Sequence, residues 1–150
     1  MGLILSIDEI HEHMAQLGLL NERTERTLVY AQLAPSVGEF FLLGAYAQLI
    51  KGGYFVMSLE EDSIIIIPLG KLSGKINKKS EPIIIPHEEL DGIQLKKGMM
   101  IYKVLLLSEE HELPLRLSKV TMGMKWHKEN LEHTMDELEK LQQKIGVGRK

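Results

Sequence analysis

The side chains able to do chemistry are scattered, and their spacing argues against most reactions they could serve. His11 and His13 flank Glu12. Two residues apart on a helix, they point to nearly opposite sides and cannot chelate one ion together. His127 and His133, six apart, diverge as well. There is no H-E-x-x-H, so a metal site would need ligands from distant segments. The absence of cysteine excludes disulfides, thiol catalysis and Cys-ligated zinc, and suits a reducing cytoplasm. The candidate nucleophiles are Ser36, Ser58, Ser63, Ser73, Ser80, Ser108 and Ser118, and none stands in G-x-S-x-G or S-x-x-K. Gly70-Lys71-Leu72-Ser73-Gly74-Lys75 has a faint look of a phosphate loop, but the G-x-x-x-x-G-K-[ST] order is missing and no helix pattern follows. The expectation is therefore no catalytic residue, no metal, no cofactor and no enzymatic activity. Were the chain a small enzyme of another class, His87, Glu88 and His111 are the first residues to examine for a shared pocket.

Binding chemistry has better candidates. Lys71, Lys75, Lys78 and Lys79 lie in a stretch from Gly70 through Ser80 that holds no acid. Such a run is either a solvated loop or an anion and lipid site, where each lysine near an anionic surface contributes about 1 kcal/mol. Ile64, Ile65, Ile66 and Ile67 are apolar on both faces of a strand. They are either covered on both sides or pack against another chain, which makes them candidates for self-association. In Lys119 to Lys128, three lysines flank Trp126 at a strand-to-helix junction. Trp126 there reads as a lock between the helix and the sheet, in preference to a basic aromatic contact surface.

The elements that must position these residues follow from pattern. The chain has 150 residues, one domain's worth, with 18 Lys+Arg, 21 Asp+Glu and a net charge of −3. That balance argues against a nucleic-acid partner. Hydrophobic content of 44% and charged content of 26% describe a globular chain. The N-terminus has no cationic region, its apolar run Leu3–Leu5 is too short for a signal peptide, and no run approaches a membrane span; a cytoplasmic protein is expected. Met1 to Ser6 also matches the short acylation pattern M-G-x-x-x-[ST].

Ser6-Ile7-Asp8-Glu9 is a capping-box sequence opening a helix with Ile7, Ile10, Met14 and Leu17 on one side and Gly18 at its end. Asn21 is placed to cap a second helix through Gln32, with Leu28, Val29 and Leu33 on its apolar side. This gives a helical N-terminal extension over residues 1–37. Seven strands are then expected, over 39–50, 54–59, 64–69, 83–85, 92–97, 101–107 and 112–118. Leu113, Leu115 and Leu117 alternate with Pro114, Arg116 and Ser118, one face buried and one wet. Met124, Leu131, Met135, Leu138, Leu141 and Ile145 form a helical stripe over 122–145.

Many short strands favour a closed or nearly closed barrel, because closure removes edges. The following amphipathic helix is a natural plug. Gly53-Tyr54-Phe55-Val56-Met57-Ser58, then Ile64-Ile65-Ile66-Ile67-Pro68, then Ile83 to Ile93 resemble, in order and spacing, the bacterial pleckstrin-homology (PH)-like domains of uncharacterised proteins. The resemblance covers about residues 38–145. It implies an α+β, mainly β fold: a PH-like seven-stranded antiparallel barrel capped by a C-terminal helix, with one or two N-terminal helices outside the barrel over 38–150. It also implies a non-catalytic binding or scaffolding module, acting on a protein partner, by self-assembly into an oligomer, or as a peripheral binder of anionic lipid. In lipid-binding PH domains a basic loop at the barrel mouth holds phosphates. Here the basic loop lies between the third and fourth expected strands, whereas the familiar site uses the first hairpin.

Overall fold

The structure is a computed structural model. It describes residues 5–33, 41–42, 53–70, 75–76, 81–108, 111–119 and 124–146. Ser6 caps helix α1 (Ile7–Gln16), its hydroxyl accepting from the Glu9 N–H at 3.2 Å. Gly18 follows at φ +73°, in the left-handed region. Asn21 caps α2 (Glu22–Arg26) and forms a reciprocal box with Thr24.

There the helix stops, contrary to the expectation of a helix through Gln32. Residues 29–33 form strand β1 (Val29–Leu33). The reason is local. Thr27, Val29 and Tyr30 favour a pleated surface, and Thr27 leaves the helix to bridge to the sheet. Its hydroxyl lies 3.1 Å from the Ser58 hydroxyl and accepts from the Leu59 N–H at 2.9 Å. The helical extension therefore does not run over 1–37, and the sheet takes in residues well before 38. The remaining strands are β2 (Phe41–Leu42), β3 (Tyr54–Leu59), β4 (Ser63–Pro68), β5 (Ile83–Pro86), β6 (Gly92–Lys97), β7 (Ile101–Ser108) and β8 (His111–Ser118). Six of the expected strands thus agree to within a residue or so at each end. The first, 39–50, lies outside the described residues except for 41–42.

Seven strands run antiparallel in the order β5-β4-β3-β1-β8-β7-β6, and β2 pairs with β8 in parallel. The chain is α+β and mainly β, with two helices before most of the sheet and helix α3 (Lys125–Ile145) after it. β5 and β6 sit at opposite ends of this order, yet only residues 87–91 join them. Laid flat, the two edges would stand about 29 Å apart. Five residues, three of them in a 3₁₀ turn, span at most about 20 Å. The sheet must therefore roll up. No ladder joins β5 to β6 among the described residues, so the roll is closed by its filling. That filling is α3, whose Leu131, Met135, Leu138 and Leu141 pack with the inward residues of every main strand. The β6 edge is covered by the same helix end: Ile93 N–H donates to the Gly146 carbonyl at 2.9 Å, and the Gln142 amide donates to the Ile93 carbonyl at 2.7 Å.

A second apolar cluster lies on the outside of the roll. Leu5, Ile10, Met14, Leu28 and Trp126 close over Val56, Ile65 and Ile67. Ile64 and Ile66 face the inner core. All four isoleucines are 0–2% exposed. The self-association surface expected at Ile64–Ile67 is thus corrected: both faces of β4 are covered from within the chain, and none of the four is open to a second copy.

Candidate functional site

The expected anion loop is placed only in part. Lys71, Lys78 and Lys79 lie outside the described residues. Lys75 is described, and its Nζ donates to the Glu9 carboxylate at 2.8 Å. That hydrogen bond is the main reason the Glu9 carboxyl is held below its ordinary value.

The described histidines do not gather into a metal-binding group. His11 lies 3.8 Å from Glu25 while His13 is buried, so the two diverge as their spacing requires. His127 is fully buried in the first turns of α3. Its Nδ1 accepts from the Tyr30 N–H at 2.9 Å. Its Nε2 lies 2.6 Å from the Ser118 carbonyl, which can only accept, so Nε2 carries the proton. One neutral ring thereby ties α3 to β1 and β8. Burial pushes its pKa below the ordinary histidine value, although the Ser118 bond opposes the shift. Trp126 donates its indole N–H to the Leu5 carbonyl at 3.2 Å, as a structural lock would. His87 sits in the 3₁₀ turn and lines a small cavity of about 130 Å³ with Arg23, Glu137 and Lys144. Burial lowers its pKa too. The His111 side chain lies outside the described residues. Among the described residues, no group of three or more potential ligands could hold a metal ion.

A different constellation emerges from strand register. β6 and β7 join through a two-residue loop that sets Lys97 opposite Tyr102 and hence Lys96 opposite Lys103. The next hairpin sets Lys103 opposite Arg116. Across the following pair Arg116 faces Gln32, and Gln32 faces Tyr54. Three cations therefore stand side by side on the outer face of three adjacent strands, over roughly 10 Å. Gln32 extends the row, its amide donating to the Tyr54 hydroxyl at 3.4 Å, and Tyr54 stacks on Tyr30 with ring centres 5.6 Å apart.

Lys96 and Lys103 are exposed and Arg116 is half-buried. None of the three forms an ion pair with a described residue, whereas the inward cations beside them are engaged. Lys97 pairs with Glu139 of α3 at 2.7 Å, and Lys119 lies 5.1 Å over the Tyr102 ring. Tyr102 in turn donates to Glu132 of α3 at 2.6 Å. The row borders a concavity of about 720 Å³ whose wall includes Leu105 and Pro114, with the buried Glu112 at its far end. Like charges directly opposed across strands are unfavourable by roughly 0.2–1 kcal/mol per pair. The arrangement lowers stability and concentrates positive potential on one face of a chain whose net charge is negative.

This row does not stand out in the linear sequence. The signal was present in the short loop Gly98-Met99-Met100-Ile101, since a two-residue turn dictates the Lys96–Lys103 pairing. Arg116 joins it once the second hairpin is known to be equally tight.

No family model and no curated protein matches the chain. Among solved structures it is similar to the hSac2 domain from human phosphoinositide phosphatase Sac2, at 12% identity and a TM-score of 0.43, over 95% of this chain and 87% of that one. A likeness that distant has no bearing on the site.

Proposed function

We propose that this chain is a non-catalytic, PH-like binding module of the cytoplasm whose outer β6–β8 face takes an anionic ligand. One observation carries the reading: Lys96, Lys103 and Arg116 are aligned at opposed register positions, with no ion pair to a described residue, beside an open concavity. Local arrangements that oppose folding are expected at functional surfaces. The cations supply charge-assisted hydrogen bonds, and Arg116 brings a planar fork suited to carboxylate or phosphate. An acidic protein partner and an anionic lipid both present that chemistry.

This site takes precedence over the two expected earlier. Ile64–Ile67 is enclosed. In the Lys71–Lys79 loop, the described lysine is already held by Glu9.

The test is an NMR titration with inorganic tripolyphosphate, a polyanion long enough to bridge neighbouring strands. Amide shifts are expected to concentrate at Lys96, Lys103 and Arg116 and to weaken with added salt. Reversing Lys103→Glu and Arg116→Glu together is expected to weaken binding by at least about tenfold. Shifts confined to other segments, or an affinity indifferent to the double reversal, would rule the site out.

A further inference from the structure

The loop that sets the cation row in register has chemistry of its own. Gly98 N–H donates to the Ile101 carbonyl at 3.1 Å and closes the β6–β7 hairpin over Met99 and Met100. The turn is tight: a Cβ at Gly98 would stand 2.7 Å from the Ile101 carbonyl oxygen. The tip is also held from the side, since Lys119 N–H donates to the Met100 carbonyl at 2.9 Å. Met99 is 90% exposed and Met100 61%, the two most exposed large apolar side chains among the described residues.

Two apolar residues on a narrow tip offer far less than the roughly 800 Å² per partner that a stable protein interface buries. They fit a deformable apolar phase. What surrounds them selects the kind. Lys96, Lys103 and Arg116 stand behind the tip with no ion pair to a described residue, about 7–10 Å along the strands. Interfacial apolar groups sink about 5–10 Å into the headgroup and acyl boundary. With Met99 and Met100 at that depth, the three cations come level with the phosphates. Methionine, flexible and unbranched, adapts to an irregular apolar surround.

The geometry points to a lipid surface: the β6–β7 hairpin inserts Met99 and Met100 into an anionic bilayer interface while Lys96, Lys103 and Arg116 engage its headgroup phosphates. This rests on the anion-binding reading of the β6–β8 face and names the source of the anion. It places lipid contact on a different loop from Lys71–Lys79, and it needs no spanning segment; no described helix is long and apolar enough to be one.

The experiment is co-sedimentation of the full chain with phosphatidylcholine vesicles, with and without phosphatidylglycerol, run beside tripolyphosphate binding in solution. The wild type is expected to sediment with the anionic vesicles alone, less so at high salt. Met99→Ser with Met100→Ser, both at exposed positions, is expected to lose at least about tenfold in vesicle partition while keeping its tripolyphosphate affinity. Lys96→Gln with Lys103→Gln is expected to weaken both, each cation contributing about fivefold to vesicle binding. Vesicle binding untouched by the serine pair would overturn insertion. Tripolyphosphate binding without vesicle binding would overturn the lipid assignment and leave an acidic protein as the ligand. Loss of both activities in the wild type would overturn this inference together with the reading beneath it.

Discussion

The outer face of the rolled sheet has two halves built on one pleat. On β3 and β4 the outward side chains include Val56, Ile65 and Ile67, and α1, Leu28 and Trp126 close over them. On β6, β7 and β8 the outward positions carry Lys96, Lys103 and Arg116, which stay exposed or half-buried beside an open concavity. The inner face is alike in both halves, apolar and packed on α3. The difference therefore lies in alternate residues alone. One half uses them for stability; the other accepts like-charge repulsion and leaves its surface available.

Charge introduced into the two halves breaks this comparison most sharply. Ile65→Glu places a carboxylate in a dry cluster with no partner, and is expected to cost more than about 4 kcal/mol or to prevent folding. Leu105→Glu, outward on β7 and half-buried, is expected to cost less than about 1 kcal/mol. Chemical denaturation of the two variants measures the contrast. Similar losses at both would mean that the β6–β8 face is no more open than the other.

The next effect lies where the halves meet. His127→Ala removes the partner of the Tyr30 N–H and of the Ser118 carbonyl, each worth about 1–3 kcal/mol when left unsatisfied in the interior. A total loss of about 3 kcal/mol is expected in denaturant melts, and a change under 1 kcal/mol would show that the ring does not join the two halves. The same residue sets a smaller, pH-dependent effect. Burial depresses the folded pKa of His127, and of His87, below the ordinary value of about 6.5. Both are neutral in the fold, so this contribution is complete above about pH 6.5 and is lost as the pH falls below it. Stability is expected to decline from pH 7 towards about pH 5, and less steeply in His127→Gln. Equal slopes would locate the titration elsewhere.

These contrasts track how far the sequence was legible. Ser6, Gly18 and Asn21 act at the helix ends where local chemistry put them, because caps are decided by neighbours in the chain. The later strands were readable because their turns are short and their alternation is clean, as in Leu113 to Leu117. β1 was not, since Leu28, Val29 and Leu33 fit a helix stripe and only the long-range bonds of Thr27 and the pairing with β3 and β8 make it a strand. Ile64–Ile67 announced double burial, yet whether the cover came from this chain or another is a tertiary fact. The cation row was hidden for a related reason. Lys96, Lys103 and Arg116 are distant in sequence and become neighbours only through register.

The central claim is that the open half gives up stability to hold an anion, and Lys103 sits in the middle of the row. Its most direct test is the thermal melting of wild type and Lys103→Gln, with and without tripolyphosphate at matched ionic strength. Without the anion, the variant is expected to be more stable by a few tenths to about 1 kcal/mol, since two opposed like-charge pairs are relieved. With it, the wild type is expected to gain the more. A variant that melts lower on its own, or that tripolyphosphate stabilises as much as the wild type, would contradict the account.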